Sequence, residues 1–315
     1  MRSIFSLPFG HTTGMASFEK TFSPQNLQWE HIVGDTTRLE TVLQHSRFSL
    51  ASYDFADSEV VRAEFDDYAR FYTIRVLSLK WFDHPQAVQM TPIYVWADDT
   101  HVVSFAKEPL QAVERARQKL SHNPDWVSSS ARLVYYLLDE VLASLFAFLD
   151  KLYEQVELLE DHVLTEHRTQ GIEHHIFALK REALRVRRAM ASMRDAISQL
   201  VRYWTAQYPD DPFYYMELYD HMLRQFDSVD TYRELVNSVL DLHLSTVSNR
   251  LNEIVKTLTL VTTVLLPASL MAALYGMNFD YLPLVHYRFG FFVVLGLIVA
   301  VSSLVYGIFR YRRWI

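Results

Sequence analysis

Two long apolar runs near the end of the chain dominate its pattern of hydrophobic and polar positions. Residues 257–279 form an uncharged run of 23 residues, and residues 289–309 form a second run of 21. A helix needs about 20 apolar residues to cross a bilayer. The pattern therefore predicts two C-terminal transmembrane helices, with a pair of buried helices in a soluble protein as the alternative.

The connection between the two runs is short. Residues 280–288 separate them, which forces a helical hairpin with both of its open ends on the same side of the membrane. Five basic residues flank those open ends, whereas the connection has one: the flanking residues are Arg250, Lys256, Arg310, Arg312 and Arg313. The positive-inside rule therefore predicts an inner-membrane protein with both termini in the cytoplasm.

The helical pattern continues upstream of the first run. Residues 213–275 contain no glycine and a single proline, Pro267, while Pro212 suits a first helical turn. We predict one helix of roughly 63 residues, about 95 Å long at 1.5 Å per residue. Pro267 should kink the first span or free a backbone carbonyl.

Two further helices are predicted before this long helix. Residues 128–168 have apolar side chains at helical spacing and an acidic second half, Gly171 interrupts the pattern, and residues 173–207 are rich in arginine. Opposite charges on neighbouring helices predict an antiparallel pair whose charged faces meet.

The first 125 residues have an α+β pattern. Composition predicts three strands, a turn between the last two at Asp98 and Asp99, and a helix: the segments are Tyr72–Leu79, Pro92–Trp96, His101–Ala106 and Glu108–Leu120. The stretch before Tyr72 is ambiguous.

The predicted fold class is an α+β cytoplasmic domain followed by a very long helix and two C-terminal transmembrane helices. We expect the cytoplasmic domain in residues 1–125, antiparallel cytoplasmic helices in 126–211, a stalk helix that continues into the first transmembrane helix in 212–279, an external loop in 280–288, the second transmembrane helix in 289–310 and a basic cytoplasmic tail in 311–315.

Charge is distributed unevenly along the chain. From Arg250 onward six Lys and Arg accompany two Asp and Glu, so this part carries +4 and residues 1–249 carry −11 of the total −7. An acidic soluble part argues against nucleic acid as a partner, because phosphate binding requires a basic surface, and it suits a domain that handles cations. The absence of cysteine excludes disulfides, thiolate metal sites and cysteine nucleophiles.

A short motif lies where the first apolar run ends. Residues 275–279 read Tyr-Gly-Met-Asn-Phe, between the two predicted spans. The motif resembles the signature of the CorA magnesium-transporter family, and its position makes the resemblance specific. Upstream residues that match the same family include Tyr219, Asp220, His221, Asp227, Arg233, Glu234, Ser248, Asn249, Arg250, Asn252, Glu253, Lys256 and Pro267. The resemblance is close over 212–315, moderate over 100–211 and weak over 1–99.

The resemblance implies an architecture and a function. Members of the family are homopentamers in which five first spans surround a pore, the second spans form an outer ring, and the soluble domains form a cytoplasmic funnel. This chain is then expected to be one subunit of a channel that passes Mg²⁺, with Co²⁺ and Ni²⁺ as further candidate ions, and that needs no organic cofactor. A ZntB-like zinc transporter and a membrane-anchored regulator that no longer conducts are the alternatives.

Gly276, Met277 and Asn278 are the candidate selectivity filter. Mg²⁺ holds its water tightly, so an entrance for the hydrated ion needs hydrogen-bond acceptors rather than direct carboxylate ligands. The amide oxygen of Asn278 and backbone carbonyls near Gly276 are such acceptors, and five copies would form a ring. Helix C-capping is a compatible local role for Gly276 and Asn278.

The family's pore face, aligned on Asn278, falls on six residues of the first span: Val255, Leu258, Thr262, Leu266, Ser269 and Ala273. Their spacing averages 3.6 residues, so one face of a helix contains them all. Rings of Leu258 and Leu266 would close the pore by dewetting, and packing against lipid or another helix is the alternative for each leucine.

The external loop departs from the family. Many members have Met-Pro-Glu-Leu after the signature, whereas Leu282, Pro283 and Leu284 stand here and Asp280 is the only loop carboxylate. We therefore expect a weaker attraction of cations to the pore mouth.

The resemblance also implies a regulatory cation site, in which cytoplasmic Mg²⁺ bound between subunits keeps the channel shut. Glu217 stands at the position of the carboxylate that the long helix contributes, with Asp220 as a further candidate ligand. Four residues are candidates for the carboxylate of the first domain: Asp54, Asp57, Asp66 and Asp67. A solvated carboxylate is the alternative for Glu217.

Other chemistry is poorly supported by the sequence. The histidines that invite a zinc site, His162, His167, His174 and His175, lack an i, i+4 pair with a third ligand, so surface positions are predicted. We find no Walker motif, nucleophile elbow or dinucleotide fingerprint, which favours passive transport over an enzyme.

Overall fold

A computed structural model gives the fold of most of the chain, in two compact units. It describes residues 17–22, 26–48, 62–82, 87–165, 171–209, 212–277, 283 and 287–312. Unit 1 comprises Met1–Leu240 and unit 2 comprises Asp241–Ile315.

Unit 1 contains a six-stranded sheet with the strand order β1-β2-β6-β5-β4-β3. Its strands are β1 Phe18–Phe22, β2 Leu27–Val33, β3 Glu64–Asp67, β4 Tyr72–Phe82, β5 Ala87–Ala97 and β6 His101–Ala106. β2 runs parallel to β6, and the other neighbouring strands are antiparallel. The three predicted strands are confirmed, and the predicted turn at Asp98 and Asp99 joins β5 to β6.

β5 begins five residues before its predicted start at Pro92. Pro92 pairs with Leu77 of β4, whereas β6 pairs only with Ile93–Ala97 of β5. A proline has no N–H to donate to a ladder. At Pro92 the described sheet has a neighbour on one side only, so the missing N–H costs no bond to β6.

Helices cover both faces of the sheet. α1 (Thr36–His45) packs over a hydrophobic core on one face of the sheet. The buried residues of this core are Ile32, Leu39, Leu43, Phe48, Phe71, Tyr94, Trp96, Val103 and Phe105. α3 (Ser130–Thr165) and α4 (Ile172–Gln207) pack on the opposite face, where Nε1 of Trp204 donates to the Tyr72 hydroxyl at 3.0 Å. α2 (Gln111–His122) packs against α3.

The predicted pairing of the α4 arginines with the acidic half of α3 does not occur among the described residues. Arg187 of α4 pairs instead with Asp230 of the next helix at 2.6 Å, and Arg185 and Arg194 pair with acidic neighbours on α4 itself. The acidic positions in the described second half of α3, which ends at Thr165, are exposed. The arginine side chains of α4 therefore pair with carboxylates that lie nearer to them than those on α3.

The long helix is confirmed. α5 extends from Pro212 to Tyr275, 64 residues, and it continues through Pro267. α6 extends from Gly290 to Tyr311. An N-terminal α/β domain, a very long helix and a further C-terminal helix are therefore the elements of the fold, as the sequence predicts.

A buried histidine lies between the sheet and its helices. His31 of β2 is 3% exposed. Nε1 of Trp29 donates to Oγ of Ser104 at 2.9 Å, and the same Oγ lies 2.9 Å from Nδ1 of His31. Burial lowers the pKa of His31 to about 4, so the imidazole is neutral at pH 7.

Candidate ion pathway

Unit 2 exposes an extensive apolar surface. Leu258, Leu266 and Phe291 are 65%, 63% and 72% exposed in the single chain. Soluble monomers rarely expose contiguous apolar patches larger than a few hundred Å². Both α5 and α6 are long and apolar enough to cross a membrane. Lipid or further protein is therefore needed to cover this unit.

One face of α5 packs against α6 within unit 2. Oγ of Ser302 on α6 donates to the backbone carbonyl of Val264 at 3.3 Å. Five residues of α5 with helical spacing are half-buried: Leu260, Val264, Ala268, Met271 and Tyr275. This row is the α6-facing row.

The predicted pore face lies on the other side of α5. All six of its residues are exposed, from Val255 to Ala273. Val264 is two residues from both Thr262 and Leu266, and two residues correspond to about 200° around a helix. The predicted pore face therefore points away from α6.

Thr262 adds polarity to this face. Its Oγ1 donates to the carbonyl of Leu258 at 2.8 Å, and the neighbouring Thr263 makes the same bond to Thr259 at 2.7 Å. A hydroxyl that donates into its own helix keeps its lone pairs for other donors. The exposed Thr262 oxygen is therefore an acceptor suited to the water shell of a cation.

The helix ends tightly at the predicted filter. The N–H of Gly276 lies 2.9 Å from the carbonyl oxygen of Ala272 and 3.2 Å from that of Ala273. The backbone of Gly276 is not left-handed, and a Cβ there would lie 3.3 Å from the Ala272 oxygen. A side chain at this position would therefore be tightly placed against the carbonyl, whereas a left-handed cap is not formed. Met277 is 48% exposed, and Asn278 and Asp280 lie outside the described residues.

The candidate regulatory residues lie on the part of α5 that belongs to unit 1. Glu217 is half-buried and Asp220 is exposed. The hydroxyl of Tyr135 on α3 donates to Oε2 of Glu217 at 3.0 Å, and one turn further Nδ1 of His221 lies 3.1 Å from Oδ1 of Asp139. Burial, reinforced by Asp139 and Glu217, raises the pKa of Tyr135, so it remains a donor.

Sequence reasoning missed Tyr135 as the partner of Glu217. The two residues are 82 positions apart, and no local pattern connects them. Only the packing of α3 against α5 brings the phenol to the carboxylate.

The first-domain candidates are only partly described. Asp66 and Asp67 end β3, and Oδ1 of Asp67 accepts the N–H of Ala69 at 2.9 Å. Asp54 and Asp57 lie outside the described residues. Within the described part of the chain, no three His, Asp or Glu side chains are grouped closely enough to hold a metal ion. The described histidines among the zinc candidates, His162, His174 and His175, are exposed, and His167 is not described.

Known proteins resemble this chain over most of its length. The model of the family described as "CorA-like Mg²⁺ transporter protein" matches residues 24–312. A cobalt/magnesium transport protein CorA from Thermotoga maritima is 28% identical over 217 residues, which are 68% of this chain and 62% of that protein.

Solved structures share the fold. The complete structure of the CorA magnesium transporter from Methanocaldococcus jannaschii has a TM-score of 0.79 at 23% identity, covering 96% of this chain and 99% of that one. The ZntB cytoplasmic domain from Vibrio parahaemolyticus has a TM-score of 0.62 at 14% identity, covering 74% of this chain and 99% of that domain. The match of the family model over nearly the whole chain shows that the chain belongs to the family of CorA-like Mg²⁺ transporter proteins.

Proposed function

We propose that the chain is one subunit of a homopentameric inner-membrane channel that passes Mg²⁺ into the cytoplasm, with Co²⁺ and Ni²⁺ as further permeant ions. One observation supports this most directly: the six residues predicted to line a pore occupy a single exposed face of α5, turned away from α6. In a ring of five subunits this face would surround the axis, with α6 outside.

The proposed pathway begins at the ring formed by residues 276–278. Acceptors there bind water of the hydrated ion, so the ion enters without losing its shell. Thr262 and Ser269 form further polar rings along the pathway. The rings of Leu258 and Leu266 exclude water in the closed state. Movement follows the electrochemical gradient.

The proposed orientation places residues 280–288 outside and both termini in the cytoplasm, with residues 1–211 and the stalk part of α5 on the cytoplasmic side. Basic residues at the open ends of the hairpin support it. Asp280 would be the carboxylate nearest the pore mouth.

Regulation by cytoplasmic Mg²⁺ is part of the proposal. Glu217 and Asp220 would contribute oxygen ligands from α5, and a neighbouring subunit would complete the coordination, since a single chain brings too few carboxylates together in its described residues.

Ion flux into liposomes tests the proposed channel. The parent protein should carry Mg²⁺ down its gradient, and Asn278→Ala should reduce the flux about tenfold, because a ring of amide acceptors for the hydrated ion is lost. Leu265→Ala, an exposed position of α5 outside the pore face, is the matched control. Parent protein without divalent flux, or Asn278→Ala that conducts like the parent, would show the proposal to be wrong.

A ZntB-like zinc transporter is the second candidate, because the chain shares the fold of the ZntB cytoplasmic domain from Vibrio parahaemolyticus. Zn²⁺ flux without Mg²⁺ flux, accompanied by acidification of the liposome interior that a pH-sensitive dye reports, would favour this candidate. Met277 in the signature favours the magnesium channel.

A further inference from the structure

Two exposed helix faces of unit 1 carry opposite charge. Residues 146–165 of α3 contain five Asp and Glu and one Lys, whereas residues 172–188 of α4 contain five Lys and Arg and two Glu. The acidic face of α3 is defined by five exposed carboxylates: Asp150, Glu154, Glu157, Glu160 and Asp161. The basic face of α4 is defined by three exposed cations: Lys180, Arg181 and Arg188.

Neither face is neutralised by the described part of its own chain. Within the described ranges, none of these five carboxylates and three cations forms an ion pair. The other two arginines in this part of α4 are already occupied, because Arg185 pairs with Glu182 and Arg187 pairs with Asp230. The charges of both faces are therefore available to another molecule.

Large apolar side chains accompany the charges on both faces. Phe146 and Leu158 of α3 are 47% and 49% exposed, and Phe177 and Leu184 of α4 are 48% and 42% exposed. On α4 they alternate with arginines at steps of four, three and four residues, so one side of the helix presents both. Apolar anchors with polar groups around them are typical of protein–protein interfaces.

α3 runs along α5 in the same direction. The Tyr135 hydroxyl donates to Glu217 at 3.0 Å, and the Tyr153 hydroxyl donates to the carbonyl oxygen of Ser228 at 2.7 Å. Later residues of α3 therefore contact later residues of α5.

α4 runs along α5 in the opposite direction. The ring of Trp204 lies 5.0 Å from that of Tyr215, whereas the earlier residue Arg187 pairs with Asp230. Arg187 thus contacts α5 two residues from the contact that Tyr153 makes at Ser228. The two side chains mark the same level along α5.

Opposite charges lie at matching levels on the two faces. Asp150 and Arg188 are within three residues of the level that Tyr153 and Arg187 mark, and both are displaced in the same direction. In the other direction Glu157 follows Tyr153 by four residues, and position 181 precedes Arg187 by six. At 1.5 Å per residue these two displacements differ by only about 3 Å.

We propose that the acidic face of α3 in one subunit packs against the basic face of α4 in the next subunit. This contact rests on the homopentamer proposed above, in which rotation about the ring axis leaves the level of each residue unchanged. A contact between two different faces of identical subunits is head-to-tail and closes into a ring. The charges on α3 and α4 then find between subunits the partners that they lack within one chain.

Carbodiimide cross-linking of the full-length protein in detergent tests this contact. The reagent joins a lysine amine to a carboxylate as an amide where the two groups touch, and Lys180 is the single lysine of the basic face. We expect covalent dimers and larger species on a denaturing gel, with Lys180 linked to Glu154, Glu157 or Asp161 of another subunit. Lys180→Arg keeps the charge but removes the amine, so this linkage should be lost.

Charge reversal tests the electrostatic part of the contact. Arg188→Glu should lower the yield of linked species about threefold, the scale of one exposed ion pair, because it places like charges opposite Asp150. Combining Arg188→Glu with Asp150→Arg should restore the yield. Arg202→Glu makes the same charge change at an exposed α4 position about 21 Å away, and it should leave the yield unchanged.

Native mass spectrometry of the same sample separates this contact from the proposed channel. A pentamer in which Lys180 is not linked to α3 of another subunit, or in which Arg188→Glu and Arg202→Glu have equal effects, overturns the contact and leaves the channel standing. A monomer overturns both. Protection of Lys180 only by vesicles of anionic lipid would assign the basic face to a membrane surface and would also overturn the contact.

Discussion

Neighbouring side chains on α5 have the same local chemistry but different predicted roles. Thr262 and Thr263 both donate to the carbonyl four residues earlier, and both are exposed. They point about 100° apart around the helix. Only Thr262 belongs to the predicted pore face, so the pair separates conduction from helix stability.

Thr262→Val is expected to lower Mg²⁺ flux in liposomes about tenfold, because five acceptors for the ion's water shell are replaced by methyl groups. Thr263→Val removes an equivalent intrahelical bond and should leave the flux within a factor of about two. Equal losses in the two variants would mean that the hydroxyls act on the helix and not on the ion.

His31 is the residue whose charge state the fold constrains most clearly. Its pKa is lowered to about 4 by burial, compared with about 6.5 in an unfolded chain. The unfolded state therefore binds more protons between these values, and stability must fall as the pH drops through this window.

We expect the lowered pKa of His31 to reduce the free energy of unfolding by about 2 kcal/mol at pH 5 relative to pH 8. His31→Gln should flatten this part of the pH dependence of the thermal midpoint, measured on the full-length protein in detergent. The slope between pH 8 and pH 5 is the readout, since the substitution also changes the bond to Ser104. An unchanged slope would show that other groups cause the acid sensitivity.

At the scale of elements, α3 and α5 meet through a pair of polar contacts one helical turn apart. Tyr135 donates to Glu217, and His221 contacts Asp139. The carboxylate of Glu217 therefore has two candidate roles, a ligand of regulatory Mg²⁺ and an acceptor that joins the two helices.

Glu217→Ala is expected to raise the Mg²⁺ concentration that closes the channel about tenfold, because a charged ligand is lost. Tyr135→Phe keeps the carboxylate and removes only the hydrogen bond to it, so closure should remain close to that of the parent. Flux measured against internal Mg²⁺ gives both values. If Tyr135→Phe has the larger effect, Glu217 acts through the helix contact.

The sequence predicted some elements better than others for physical reasons. α5 was predictable because 63 residues without glycine and with one proline leave few other structures. β1, β2 and α1 were not, because β2 is stabilised by a parallel pairing with β6 across 73 residues, which local patterns do not encode. The ion pairs of the α4 arginines could not be predicted for the same reason, since they depend on tertiary neighbours such as Asp230.

The candidate site was predictable as a face but not as a set of contacts. Spacing alone puts Val255 to Ala273 on one side of a helix. The α6-facing row opposite them, and the tight carbonyl approach at Gly276, depend on packing and backbone geometry that the sequence does not display.

For the whole molecule, the exposed apolar surface of unit 2 requires a cover. In the proposed ring of five copies, the pore faces of α5 would surround the central axis and α6 would face lipid. Each chain has a mass of 36.9 kDa.

Native mass spectrometry of the detergent-solubilised protein should therefore give about five times the mass of one chain, because a closed ring of identical subunits has a single stoichiometry. Substituting an exposed α6 residue, Leu304→Ala, should leave this mass unchanged. A monomer or dimer as the main species would contradict the proposed ring.

The two rows on α5, about 200° apart, have a consequence for tolerance to change along this helix. If each position from 255 to 275 were replaced by alanine in turn, ion flux and protein yield would both oscillate with the helical repeat, yet nearly in antiphase. Flux would dip where yield is normal, and yield would dip at Val264 and Met271, where the neighbouring helix loses its support. Natural selection on this segment would therefore act on two properties of the same residues, conduction on one face of the helix and assembly on the other.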